Sequence, residues 1–313
     1  MFCIKSFAQT PDSSQYPSFD SAAVLKDLMA LLDSIKAPAS YFSLEAGVGN
    51  RLFSISNNRL NATQTSIKTL VYTPSVGYFH KSGLSLSAGV YLLHDKSKGF
   101  TASQYSLTPA YDLLNNEHIG FSFSYTHLFV KDYFSPYASP VQNDFYTTLS
   151  YKKSWIKPGI SVGYSTGKYK QLAVKDTMIG LIKYHLYDST TFNLKSTSVM
   201  LSASHDFEWK NILSKEDDFL FAPSLILNAG SYTIDVTHKT NVPNLVNFLI
   251  KRGRLPKLIT SKFQAESAGL NLNCMYSTGN FSFSPQAYFD YYLHETDSDK
   301  FTSTFNFSVS YIF

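Results

Sequence analysis

The chain has no long apolar run. Nothing in its 313 residues approaches the ~18 consecutive apolar residues that carry a helix across a bilayer, so a helical membrane protein is excluded. Cysteine is scarce as well. Cys3 and Cys274 are the only two, too few for a disulfide framework or a cysteine zinc cluster. Charged residues make up only 16 %, against roughly 25 % in an ordinary soluble domain, which excludes a helical bundle rich in Lys and Glu. The formal net charge of +4 is too small to point to nucleic acid. Trp occurs twice, against 25 Phe and 22 Tyr. That aromatic content, with a mean hydropathy of -0.12, also excludes a disordered chain.

Residues 1–9 read as the remnant of a secretory signal, because Ser6-Phe7-Ala8 places small residues at the spacing of a cleavage site. The apolar stretch before it is shorter than the 7–15 residues such a signal needs, so the true start is expected upstream. An ordinary chain terminus is the alternative. Residues 10–40 form a linker and an amphipathic helix. Val24, Leu25, Leu28, Leu31, Leu32 and Ile35 share one face, Asp20 or Ser21 caps the start, and Pro38 stops it. Such a stripe must bury itself on a barrel mouth, a lumen, a membrane surface or a partner protein docking at residues 20–36.

From Tyr41 the periodicity changes from 3.6 to two and keeps that period to Phe313. Phe42, Leu44, Ala46 and Val48 alternate with Ser43, Glu45, Gly47 and Gly49. Near the end, Phe301, Phe305, Phe307, Val309, Tyr311 and Phe313 alternate with Thr302, Thr304, Asn306, Ser308 and Ser310. Twelve such segments of about 10 residues match transmembrane β-strands. A soluble sandwich alternates too, but its polar face carries Lys, Glu and Arg. Here that face carries Ser, Thr, Gly and Asn.

The connectors alternate between short turns and longer loops at 55–66, 95–101, 132–142, 171–193, 235–262 and 294–300. That asymmetry marks an outer-membrane barrel with both termini on the short-turn, periplasmic side. A small-Pro step recurs at Pro74, Pro109, Pro223 and Pro285, where bulges are expected because proline removes a ladder hydrogen bond.

Residues 41–313 therefore resemble the outer-membrane β-barrel proteins. Phe305, Phe307, Val309, Tyr311 and Phe313 look like their C-terminal assembly signal. The resemblance implies that barrel-assembly machinery reads this end and that outer-membrane lipid and lipopolysaccharide surround the wall. The Ser-Phe-Ala-Gln start and the Tyr- and Phe-rich strands are similar to barrels of Bacteroidota. The fold expected is all-β: a 12-stranded antiparallel transmembrane barrel with a short N-terminal amphipathic helix. Fold and compartment follow from the resemblance; a substrate does not.

Twelve strands give a wall about 24 Å across and a bore of roughly 10–14 Å. The inward residues are too small to fill it, so the lumen is either watery or plugged by helix 20–36 or loop 235–262. In that loop a short helix starts at Asn241-Val242-Pro243-Asn244, shows Leu245, Phe248 and Leu249 on one face, and ends at Gly253. Lys251, Arg252, Arg254, Lys257 and Lys262 make it basic. Folded inward it is an anion-selecting constriction; folded outward it meets lipopolysaccharide phosphates; otherwise it is a solvated loop. Glu45, Asp112, Asp206, Glu208 and Asp290 have inward parity, either as the acidic side of a constriction or as scattered wetting residues. Tyr288 and Tyr292 flank Asp290, a trio suited to a sugar or nucleoside.

No metal-ligand spacing, phosphate loop or nucleotide fingerprint is present, and no cofactor is expected. A lipid hydrolase needs Ser and His together on the lipid face. His127 has that parity but no outward Ser beside it in its strand. The leading expectation is a narrow or gated pore for small hydrophilic solutes. A closed accessory barrel is the rival, and a surface hydrolase is third.

Overall fold

Strands that are apolar on one face and hydroxyl-rich on the other can span lipid only if no edge is left with unpaired backbone groups. This chain meets that condition by closing its sheet. The computed structural model describes residues 39–50, 70–95, 99–133, 139–179, 182–293 and 300–313. Within them, one antiparallel sheet contains β1 (Tyr41–Gly49), β2 (Val71–Phe79), β3 (Leu84–Asp95), β4 (Gly99–Asp112) and β5 (Ile119–Val130). It continues with β6 (Asn143–Tyr151), β7 (Lys157–Ile179), β8 (Ile182–Ser204), β9 (Phe207–Lys210) and β10 (Asp217–Thr240). It ends with β11 (Leu258–Thr260), β12 (Gln264–Thr278), β13 (Phe281–Tyr292) and β14 (Phe301–Ile312). From β1 to β8 each strand pairs with the next in sequence, β10 pairs with β8 and β12, β12 to β14 pair in order, and β14 closes on β1 from Ser43↔Ile312 to Gly49↔Asn306.

The short β9 resumes β8 after a break at His205 and Asp206, and both lie along β10. The short β11 precedes β12 in the same way, again along β10. Each pair is one interrupted stave, so the wall is a barrel of twelve staves, as the alternation predicts.

Parity sorts the side chains as expected. Outward positions carry exposed Leu44, Val76, Leu86, Leu149, Ile160 and Leu225. At the short-turn end the exterior becomes an aromatic belt. Trp155 and Phe207 pack on His205 with ring centroids 4.7 and 4.4 Å away, and Trp209 packs on Phe219 at 5.6 Å. Tyr311 packs on Phe281 at 4.8 Å and on Phe313 at 4.7 Å. An apolar band edged by aromatics is the exterior of a membrane barrel. Among the described residues no helix is long and apolar enough to cross a membrane; the strands do the crossing.

The structure differs from the sequence expectation in two ways. First, the segment 171–193 is not a loop. β7 and β8 stay paired out to Ile179↔Ile182, and β10 pairs with β8 as far as Thr240↔Asp188. Beyond the lipid band both faces meet water, so the apolar alternation lapses while the backbone ladder continues. Second, the four wall prolines cause no register shift. Pro74 keeps its place opposite Ala46, Pro109 opposite Leu86, Pro223 opposite Leu272 and Pro285 opposite Phe307. Each proline lacks one N–H, so pairing can lapse toward one neighbour while the other holds the register. The bulges fall instead beside Tyr91/Leu92 and Asn228/Ala229.

The described helix is α1 (Pro243–Lys251), with Pro in its first turn and Gly253 at φ 70 just beyond it. This is the short helix expected within loop 235–262. The expected N-terminal helix at 20–36 lies outside the described residues.

Candidate functional site in the barrel lumen

The inward faces enclose a cavity of about 770 Å³. Serine and threonine hydroxyls dominate its described lining, among them Ser75 of β2, Ser87 of β3, Ser106 of β4 and Ser124 of β5. Glu45 of β1 and Asp144 of β6 add carboxylates, and Asn271, Gln286 and Asn306 add amides. A lining with donors, acceptors and little bulk holds water and small polar solutes. No Lys or Arg is among these described lining residues.

Toward the long-loop end the lumen narrows. The β5–β6 connector turns inward there. Ser139, Val141 and Gln142 are 0, 1 and 7 % exposed. Gly167 of β7 permits this approach, because a Cβ at that position would meet the backbone of Pro140 and Val141. The segment is fastened on several sides. Ser139 N donates to Gln104 Oε1 of β4 at 3.0 Å, and Gln142 N donates to Thr166 O at 2.9 Å. Lys168 N also donates to Gln142 Oε1. Val141 and Leu194 of β8 are both buried, and Tyr232 and Ile234 of β10 pack against them. A backbone strap thus crosses the inner face of the wall and is anchored at β4, β7, β8 and β10.

A second polar group lies on β10, β12 and β13. Tyr288 OH donates to Asp290 Oδ1 at 3.0 Å, and Asn228 Nδ2 donates to Tyr288 OH at 3.0 Å. Tyr288 lies over Gly269, where a Cβ would come within 2.6 Å of its hydroxyl. Tyr292 is buried in the same inward row. Tyr288 and Asp290 are therefore brought together as wall packing, with their polar atoms turned to one another, and Tyr292 is buried one inward position beyond Asp290. On the inner face of the β8–β10 extension, His238 Nδ1 meets Asp188 Oδ2 at 2.8 Å beside Thr190.

The remaining candidates are dispersed. Glu45 is paired with Ser310 and Asp290 with Thr302 along β14, so the two acids sit at different depths. Asp112 ends β4 beside the β2–β3 turn, where its N–H donates to Gly83 O at 2.9 Å. Asp206 lies in the break before β9 and pairs with Lys157 Nζ at 2.5 Å, at the short-turn end. Lys251, Arg252 and Arg254 are exposed at the end of α1, and the Arg252 guanidinium lies 4.9 Å from the Phe248 ring centre. None of the three is among the described residues lining the cavity. Phe305, Phe307, Val309, Tyr311 and Phe313 form one outward row, of which Phe305, Phe307 and Phe313 are exposed.

Four participants escaped the sequence reading. Asp144 was legible by parity, since Phe145, Leu149 and Tyr151 on β6 are the outward set. Gly167 carried a weaker signal, a glycine inside a strand where another backbone approaches. Gln104 and the strap at 139–142 carried none, because their meeting joins connectors and staves distant in sequence.

His127 faces outward and is held by polar neighbours. Its Nδ1 meets Asn143 Oδ1 at 2.8 Å, and Tyr125 OH donates to that same oxygen at 2.8 Å. The next outward position along β5 is Phe129, whose ring lies 4.4 Å away. Among the described residues no group of three or more His, Cys, Asp or Glu is placed to hold a metal.

A closed antiparallel wall with an apolar, aromatic-edged exterior and a hydroxylic interior defines the class of outer-membrane β-barrels. No protein-family model matches the chain, and no curated protein sequence matches it. Among solved structures, the NanC porin aligns at 10 % identity and TM-score 0.35, covering 86 % of this chain and 98 % of its own. The translocator domain of the autotransporter NalP from Neisseria meningitidis aligns at 10 % and 0.35, covering 94 % and 98 %. LpxR from Salmonella typhimurium aligns at 11 % and 0.31, covering 87 % and 100 %. The barrel assignment rests on the register and faces of the wall itself.

Proposed function

We propose that the protein is a narrow pore through which small hydrophilic solutes diffuse passively across the outer membrane. The observation that supports this reading is the hydroxyl- and carboxylate-lined cavity of about 770 Å³ inside the closed wall. Size exclusion comes from the bore and from the strap at Ser139–Gln142, which crosses the inner face of the wall. Glu45 and Asp144 give the chamber an acidic lining, so cations are favoured over anions. Both termini and the short turns lie in the periplasm, and the extended β7, β8 and β10 project on the other side. The outward row ending at Phe313 is the surface that assembly machinery reads. The protein is not an enzyme in this reading: Phe129, rather than a serine, follows His127 on the outer face.

The test is single-channel conductance of the purified barrel in a planar bilayer. Reproducible unit steps support the pore. Silence from a barrel shown to be folded overturns it and favours a closed accessory role.

A further inference from the structure

On β4, β5, β13 and β14 the outer face at the long-loop end carries the exposed aromatics Phe100, Phe129, Tyr291 and Phe301. One sector departs from this. On β7 and β8 the outward apolar run is interrupted beyond Tyr164 and Val199: Thr166, Lys168 and Lys170 follow on β7 and Thr197, Lys195 and Asn193 on β8, and exposed apolar residues return only farther out, at Leu172, Val174 and Tyr187. Register places Lys195 of β8 opposite Thr166 of β7, and Lys168 opposite Asn193. Both lysines are exposed. Their outward direction is fixed by the inward-facing residues beside them, since Gly167 faces the strap and Leu194 the internal cluster. Thr233 and Asp235 of β10 continue the two rungs on the other side. Asp235 is the acid among these rungs, against Lys168 and Lys195.

The height of this shelf decides what it meets. Thr166 is one outward position beyond Tyr164 and Lys168 is two. Tilted strands rise so that these rungs stand about 5–10 Å above the apolar band. That is the headgroup layer of the leaflet on the long-loop side. A lysine ammonium there, at the end of an apolar stem, gains most from a fixed phosphate charge. The hydroxyls of Thr166 and Thr233 and the amide of Asn193 offer further donors on the same rungs.

We infer that Lys168 and Lys195 form a binding site for the phosphate groups of an anionic lipid headgroup, seated against the outer face of β7 and β8. The inference rests on the membrane orientation of the wall and is independent of whether the lumen conducts.

The test uses the full chain in non-ionic detergent. Diphosphorylated lipid A, its phosphate-free counterpart and inorganic phosphate are compared as probes, by lipid retention in native mass spectrometry and by heat-unfolding midpoint. Diphosphorylated lipid A is expected to bind and raise the midpoint, and added salt to weaken both effects. Lys168→Gln with Lys195→Gln is expected to bind about 30-fold more weakly while its midpoint without lipid stays unchanged. Lys168→Arg with Lys195→Arg, which keeps the charge, is expected to retain binding. Equal binding of the phosphate-free lipid overturns the inference, as does an equal effect of inorganic phosphate. Loss of binding on Lys251→Gln with Arg254→Gln, but not on the shelf variant, moves the site to α1 and overturns it as well.

Discussion

Gly167 is the position where one atom decides a passage. A Cβ there collides with the Pro140 carbonyl and the Val141 Cα, and neither is the far end of a flexible side chain. Gly167→Val is therefore expected to push the strap off β7, at a cost of roughly 1–3 kcal/mol in stability, and to raise the unit conductance. An unchanged conductance from a folded variant shows that the strap does not limit flow. Glu45 acts by charge rather than volume. Glu45→Gln is expected to lower the preference for cations, read as a shift of reversal potential in a salt gradient, with little change in conductance. Residue identity was readable at these sites; consequence was not. Parity alone places Glu45 inside, but a glycine in a strand does not announce which backbone will lie on it.

At the scale of elements, each turn must satisfy the groups that leave the ladder. Between β9 and β10 this falls to Asp217, which is 1 % exposed. Its carboxylate accepts from the N–H groups of Ile212, Leu213 and Ser214 at 2.7, 2.7 and 2.8 Å and from Tyr276 OH at 3.0 Å. Asp217→Ala leaves these donors without their acceptor and is expected to destabilise the barrel by about 1–3 kcal/mol, measured by urea unfolding in detergent. The extensions of β7 and β8 are the opposite case. They lie beyond the lipid band, so replacing residues 172–189 by a two-residue turn is expected to leave a folded barrel. Loss of the heat-dependent gel shift typical of barrels would count against that division. Alternation located every stave, yet it missed these extensions. The period-two signal comes from the contrast between lipid and lumen, and it fades once both faces meet water although the backbone pairs remain.

At the scale of the molecule, the claim with most at stake is that the outside of the wall faces lipid. Leu225 on β10 is 66 % exposed, which in water is an ordinary surface position. Leu225→Arg is therefore expected to be nearly neutral for a water-soluble barrel. In a bilayer it costs about 2–4 kcal/mol near the midplane and less near either edge. Folding into vesicles at increasing urea distinguishes the two. Closure is also a property of the whole. Pairing β1 with β14 joins residues at opposite ends of the described chain, and it removes the two edges that lipid cannot solvate.

The sequence by itself determined the class, the stave count, the inward and outward faces, and the short helix within loop 235–262. All of these depend on local periodicity and on residues a few positions apart. The tertiary structure alone decided which segment narrows the lumen, that Tyr288 and Asp290 turn to each other, and that Lys168 and Lys195 share a shelf. Those outcomes depend on register between staves and on how a connector folds back. Register is set by the sum of cross-strand contacts around a closed wall, which no single segment encodes.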